Sequence, residues 1–244
     1  MNGVSLSARY GFPPNSLGYC GKDSFTDALR EHLGGAGNDA ALEAELRKFK
    51  AQFAYLSLIA RENRKMPFDL DVVEAFWIGN PLLDNISHDS LRSFILEDLL
   101  SHDETRASKL ARSLPEGMVP HHSFNSLYIN FVTDSVERSV QNLDSCCITW
   151  GEALSVSKDS VSMIRNSISS DGKNFVIRPV ESVVMLEKNG IRFLDDVFKG
   201  DVLSVHWGMA IEKLSEDKIA SLERYTKINV AACGPSTNFQ NFSR

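Results

Sequence analysis

Few side chains in this sequence are suited to hold a soft metal ion or to act as a nucleophile: four cysteines, at 20, 146, 147 and 233, and six histidines in 244 residues. His206 ends the β-branched run Val202-Leu203-Ser204-Val205 and is followed by Trp207-Gly208. Side chains alternate across a strand, so Leu203, Val205 and Trp207 share one face and Val202, Ser204 and His206 the other. The first is the better core face. That places His206 on the more polar side at the strand's end, where a ligand can sit at the mouth of a sheet. Gly208 lets a backbone or a ligand approach closely. Cys146 and Cys147 open the first strand of the same region, where an extended backbone makes them diverge, so only one serves a mononuclear site. Thiolate with imidazole suits iron, zinc or copper(I) and not magnesium or calcium. Cys146 with His206 leaves a coordination sphere incomplete, so a third group must come from elsewhere in the chain, a partner or an exogenous ligand. Cys20, in the aromatic stretch 9–21, and the adjacent His121 and His122 are the further candidates. Adjacent helical residues point apart, so one of the two histidines at most faces a given site. The plainer readings are a buried structural thiol at Cys20, and one capping and one exposed histidine. No carboxylate pair, glycine-rich phosphate loop or Ser-His-Asp arrangement suggests other chemistry.

Those residues must be positioned by two kinds of element. Arg9 to Gly21 holds three glycines and two prolines among Tyr10, Phe12, Leu17 and Tyr19, which reads as an ordered loop packed on the body. Ser24 caps a helix carrying Phe25, Leu29, His32 and Leu33, stopped by Gly34-Gly35. Leu42, Leu46, Phe49, Phe53 and Leu56 recur at helical spacing and predict the longest helix over 39–62. Asp71 with Glu74 opens another helix, in which Phe76 and Trp77 read as core. Ser87 caps the next, and a further helix runs from His121-His122 to about Gln141. At Asp144 the period changes to that of strands, at 148–156, 160–164, 174–184 and 202–207, with Asp171-Gly172 and Asn189-Gly190 as tight turns. A helix start signal follows Gly208, and Ser215 begins a terminal helix. The expected fold is α+β: an N-terminal helical bundle over 1–143, a small antiparallel OB-like β-barrel with a C-terminal helix over 144–232, and a loose tail over 233–244.

Composition limits the partners. Lys and Arg number 26 against 32 Asp and Glu, a net charge of -6, which argues against a nucleic-acid surface. The N-terminus lacks a signal-peptide core, and Phe53 to Ala60 is too short to span a bilayer. Four cysteines make no disulfide framework, so a cytoplasmic, reduced protein is expected.

The C-terminal part resembles the HypC/HupF hydrogenase-maturation chaperones. Gly200-Asp201-Val202-Leu203-Ser204-Val205-His206-Trp207-Gly208-Met209-Ala210-Ile211 is similar to that family's closing motif, and Cys146-Cys147-Ile148-Thr149-Trp150-Gly151 to its opening one, with Trp150 in place of a proline. The resemblance spans about 146–226; as a whole the chain resembles an uncharacterised bacterial and archaeal family of the same layout. What the resemblance implies is a metallochaperone or accessory factor holding iron, with diatomic ligands, on Cys146 and His206. Trp150, Gly151, Trp207 and Gly208 would frame the site, and a maturation factor or metalloenzyme precursor would be its protein partner. The alternatives are an iron or zinc enzyme whose site lies between the two halves, completed by Cys20, His121 or His122, and a metal-free scaffold.

Overall fold

The structure, a computed structural model, describes residues 1–129 and 139–233. It is a mixed α+β fold. Helices α1 (Gly3–Asn15), α2 (Ser24–Leu33), α3 (Asp39–Leu46), α4 (Lys50–Asn63), α5 (Leu70–Trp77), α6 (His88–Ser93) and α7 (Glu104–Arg112) precede the sheet. A short α8 (His122–Phe124) runs into a π-helical turn, Asn125–Ile129, and α9 (Val140–Cys146) leads to the strands. These are β1 (Thr149–Val156), β2 (Ser160–Ser170), β3 (Phe175–Met185), the small hairpin β4 (Glu187–Lys188) and β5 (Ile191–Arg192), β6 (Val202–His206) and β7 (Met209–Lys213). Helix α10 (Glu216–Ala232) closes the chain, with Ser215 capping it as expected through the N–H of Lys218.

The most consequential departure from expectation is at the start. Residues 9–15, read as loop because of Pro13 and Pro14, belong to α1. Proline breaks a helix by removing one backbone donor and crowding the carbonyl four residues earlier. At the last turn the cost is confined to the carbonyls of Arg9 and Tyr10. Asn2 caps the other end through the N–H of Ser5. Almost every residue of α1 is buried, so it is a central helix with apolar or small residues all round. The single helix expected over 39–62 is two, broken between Leu46 and Lys50, where Phe49 turns inward to pack on Phe25. Helix α7 was not foreseen. Much of the helix expected to reach Gln141, and nearly all of the expected tail, lie outside the described residues.

The five long strands pair in the order β1–β2–β3–β7–β6, and β6 pairs back on β1 from Thr149↔Val205 to Glu152↔Val202. All pairings are antiparallel except the single parallel bridge of Met185 to Met209. Inside lie Ala153, Val161, Met163, Val184, Leu186, Val197, Leu203, Val205 and Ala210. The second, larger core runs continuously from α1 through α5 and α8 to Ile148, Trp150, Ile211 and Tyr225, so helices and sheet bury one another. Segment 202–207 is not the last strand, and Met209–Lys213 is β7 where a helix start was expected. Trp207 (φ 47°) and Gly208 (φ 74°) form the two-residue turn of that hairpin. A turn of this hand needs positive φ at both positions.

Gly151 is fixed by the pairing of β1 with β2: a Cβ there would lie 2.1 Å from the carbonyl oxygen of Ile164. Gly151→Ala is expected to lower the unfolding free energy by about 2 kcal/mol or more through the overpacked ladder. Gly172→Ala, in an open turn at φ 90°, is expected to cost about 1 kcal/mol. Urea midpoints at fixed slope measure both.

Candidate metal centre

Three elements deliver one ligand-bearing side chain each to a common point. His206 is the last residue of β6, Cys146 the last of α9 and His122 the first of α8. Their ligand atoms all lie within 4.8 Å of one another. His122 and His206 are 6% and 1% exposed, and Cys146 is 9% exposed. The two imidazoles meet edge to face, ring centroids 5.2 Å apart. Trp77 lies against both, at 4.4 Å from His122 and 5.5 Å from His206, and Phe76 flanks His122 at 5.1 Å. These two aromatics, read from sequence as core, are core that also walls the site.

Hydrogen bonds fix which nitrogens are available. His206 Nδ1 donates to the carbonyl of Tyr10 at 2.7 Å, and His122 Nε2 donates to the carbonyl of Cys146 at 2.9 Å. A carbonyl only accepts, so both of these nitrogens carry the hydrogen. What remains is His206 Nε2 and His122 Nδ1, both buried and both without a hydrogen-bond partner. An orphaned buried acceptor normally costs about 1–3 kcal/mol, and each of these two rings carries one. The arrangement matches the habit of metal-bound histidine, which anchors its second nitrogen on a backbone carbonyl or carboxylate.

Burial keeps both rings neutral. It pushes His206 down to about 4, against the opposing pull of the Tyr10 carbonyl. It pushes His122 well below the usual range, with further contributions from the neighbouring His206 and His121. Neutral imidazole is the metal-binding form. Ser126 Oγ lies 3.3 Å from the Cys146 sulfur and 3.2 Å from the carbonyl of His122, and its one hydrogen serves either.

Tyr10 is the hub behind the ligands. Pro14 has no N–H to offer the carbonyl four residues before it, which is that of Tyr10. That carbonyl takes the His206 proton instead. The Tyr10 ring stacks on Trp77 at 5.1 Å, and its hydroxyl donates to Glu212 at 2.8 Å, with Ser204 Oγ also at 2.8 Å. Lys218 Nζ completes the set on Glu212 at 3.0 Å and Glu74 at 2.9 Å. Neither Tyr10 nor Pro14 was singled out from sequence as a site residue. A proline four residues after an aromatic in an otherwise helical stretch is the signal that could have found them.

The remaining expected residues fall as follows. His121 is not with the triad: its Nδ1 lies 2.8 Å from Ser123 Oγ and its Nε2 3.2 Å from the carbonyl of Trp77. The ring is fully buried and pushed down to about 3. So one histidine of the pair does cap, while the other enters the site. Cys146 and Cys147 end a helix rather than open a strand, and Cys147 is buried in the large core. Cys20 lies on the loop after α1 and stands outside the 4.8 Å group. It keeps surface toward solvent, while crowding around it, and then the Cys146 thiol, push its pKa up to about 12. Trp150 is core, Gly151 serves the ladder, and Trp207-Gly208 is a turn that leaves open space beside Gly208 rather than a close approach. His206 is not on a polar face: β6 is buried on both sides, with Ser204 and His206 turned to α1. None of the four cysteines is in a disulfide. No helix among the described residues is long and apolar enough to cross a membrane.

The chain belongs to a family of unknown function, DUF6390, whose model matches residues 1–238. No curated protein and no solved structure matches it. This corrects the HypC/HupF resemblance, since one uncharacterised family accounts for nearly the whole chain and no match to those chaperones is found. The motif behind the resemblance has local causes. Gly200 adopts φ 92°, Asp201 caps the N–H of Phe198 and pairs with Lys213, and Trp207-Gly208 makes the turn.

Below about pH 6.5 an unfolded histidine takes up a proton that these buried rings refuse in the folded chain. The stability they contribute is complete above that pH and is lost as pH falls toward their depressed folded values of about 3 and 4. Metal-free protein is expected to lose up to about 2 kcal/mol per buried histidine between pH 7 and 5. Urea unfolding at the two pH values measures it, and His121→Gln is expected to reduce the slope. A second prediction concerns Pro14→Ala, which restores a donor to the Tyr10 carbonyl. It is expected to leave the fold stable while loosening the His206 ring, lowering metal affinity by about 10- to 100-fold in a competition titration.

Proposed function

We propose that this protein holds a resident soft metal ion, zinc or iron, on His122, Cys146 and His206, between the helices and the sheet. We further read the sheet, with β6 paired on β1, as a small OB-like barrel whose end supplies His206. The observation that carries the metal reading is that His122, Cys146 and His206 bring ligand atoms within 4.8 Å of one another, while each imidazole keeps one buried nitrogen without a hydrogen-bond partner. Two histidines and one cysteine fit the donor preference of zinc and iron, and three protein ligands are what a reactive zinc site uses. When bound, the ion supplies Lewis-acid activation of a small ligand at its remaining position. The chain's own part is to hold neutral rings in fixed tautomers, keep water away with Trp77 and Phe76, and anchor His206 through Tyr10.

The arrangement favours a metal-dependent enzyme over the carrier expected from sequence. A carrier must surrender its ion, which favours ligands that reach the surface, whereas His206 is 1% exposed and its ring is pinned at 2.7 Å. A metal-free scaffold gives no reason for two neutral histidines and a cysteine to bring ligand atoms within 4.8 Å of one another.

Anaerobic purification followed by elemental analysis is expected to find about one zinc or iron per chain, retained through gel filtration. His206→Ala and Cys146→Ser are each expected to lose most of it. Chelation of the wild type is expected to lower Tm by roughly 5 °C or more, because the ion binds the folded state alone. Wild-type protein that stays metal-free after growth in zinc and iron, and whose Tm neither metal raises, would falsify the reading.

A further inference from the structure

The loop that follows α1 is built with more care than a connector needs. Asn15 Nδ2 donates to the carbonyls of Cys20 and Lys22, at 2.7 and 3.1 Å, holding residues 20–22 against the end of α1. Tyr19 lies on Trp207, ring centroids 4.5 Å apart, and Trp207 directly follows His206. Gly21, at φ 76°, passes so close to Phe49 that a Cβ would lie 2.2 Å from its ring. Between Tyr19 and Gly21 sits Cys20, outside the 4.8 Å group but on the loop that this ring contact holds beside Trp207.

The triad supplies three donors and soft four-coordinate ions take four. We propose that Cys20 is the fourth and exchangeable ligand of this centre: at rest its thiolate closes the ion on a Cys2His2 set, and a small exogenous ligand gains the ion by displacing it. This rests on the metal site proposed above. The two unpartnered imidazole nitrogens are free to take a ligand, and the clasp of Tyr19 on Trp207 brings the loop to the edge of β6. The four donors then divide by exposure. His122, Cys146 and His206 are buried on regular elements, while Cys20 alone lies on a solvent-facing loop. The buried three keep the ion, and the loop ligand is the one that can leave without unfolding the core. Binding releases the Cys20 proton to solvent as the thiolate forms its bond to the ion, and displacement reprotonates it. No oxidant or reductant is required.

Cobalt(II) loaded into the full chain in place of the native ion tests this, because thiolate-to-cobalt charge-transfer absorption scales with the number of bound sulfurs. The wild type is expected to show tetrahedral cobalt with two-sulfur intensity, and Cys20→Ser about half of it, with cobalt still bound at about one equivalent. Azide is expected to shift the spectrum of Cys20→Ser at concentrations at least tenfold lower than for the wild type. Tyr19→Ala, which leaves all four donors in place but removes the clasp, is expected to fall between them in azide sensitivity. One-sulfur intensity in the wild type, unchanged in Cys20→Ser, would overturn the role of Cys20 and leave the three-residue centre standing. No cobalt binding by the wild type would overturn both.

Discussion

The His206 ring is held through its Nδ1, and a backbone carbonyl does the holding. The carbonyl belongs to Tyr10, and it is available because Pro14 stands where its helical donor would be. The resulting bond ties the end of β6 to the middle of α1 at 2.7 Å across 196 positions of sequence. Strand order, the burial of α1 and the tautomer of His206 all meet in it. A helix that loses a hydrogen bond in its last turn ordinarily pays in stability. In this molecule the missing donor is replaced by an imidazole N–H, so the backbone stays satisfied and the ring becomes fixed.

From that contact the rest of the second layer follows. With its carbonyl committed to His206, Tyr10 turns its ring onto Trp77 and its hydroxyl to Ser204 and Glu212. Burial, followed by the Glu212 carboxylate, raises the phenol well above its usual range, so it stays a donor at any ordinary pH. Glu212 is buried on β7 and would be costly there without the Tyr10 proton and the Lys218 ammonium. Lys218 in turn belongs to α10 and also reaches Glu74 on α5. The chain of contacts therefore runs from His206 through α1 and β7 to helices on either side. A displacement of any of these elements would be felt at the His206 ring.

The sheet was the legible half. Period-two alternation and the Asp171-Gly172 and Asn189-Gly190 turns place β1, β3 and the β4–β5 hairpin nearly where the structure has them, and the first part of β2, which runs six residues further than expected. Cys146 and His206 were named as a pair and His122 as one of three candidates to join them, but nothing local encodes which of Cys20, His121 and His122 meets positions 146 and 206. Cys146 was misplaced on a strand since Cys147-Ile148 continue the strand's apolar pattern back past its start. Helix α1 was missed for a physical reason: prolines and glycines weigh against a helix as isolated residues, and only tertiary burial on all sides makes this one worthwhile. The family resemblance failed differently. Its motif is largely what a tight hairpin after a glycine turn demands, so unrelated chains can share it.

The choice between His121 and His122 shows what sequence cannot hold. Both are buried and both are kept neutral. His121 caps the short helix α8, its Nδ1 meeting Ser123 and its Nε2 the carbonyl of Trp77. The next residue, one helical step on, points the other way, towards Cys146, and spends only one nitrogen on its carbonyl. The cap residue therefore fixes the rotation of the turn, and that rotation turns its neighbour towards Cys146 and His206. With both nitrogens of His121 engaged, the imidazole with a nitrogen to spare is the one beside a thiol and a second such ring. That difference, more than the residue types, is what makes the cluster a site and the adjacent histidine part of the scaffold.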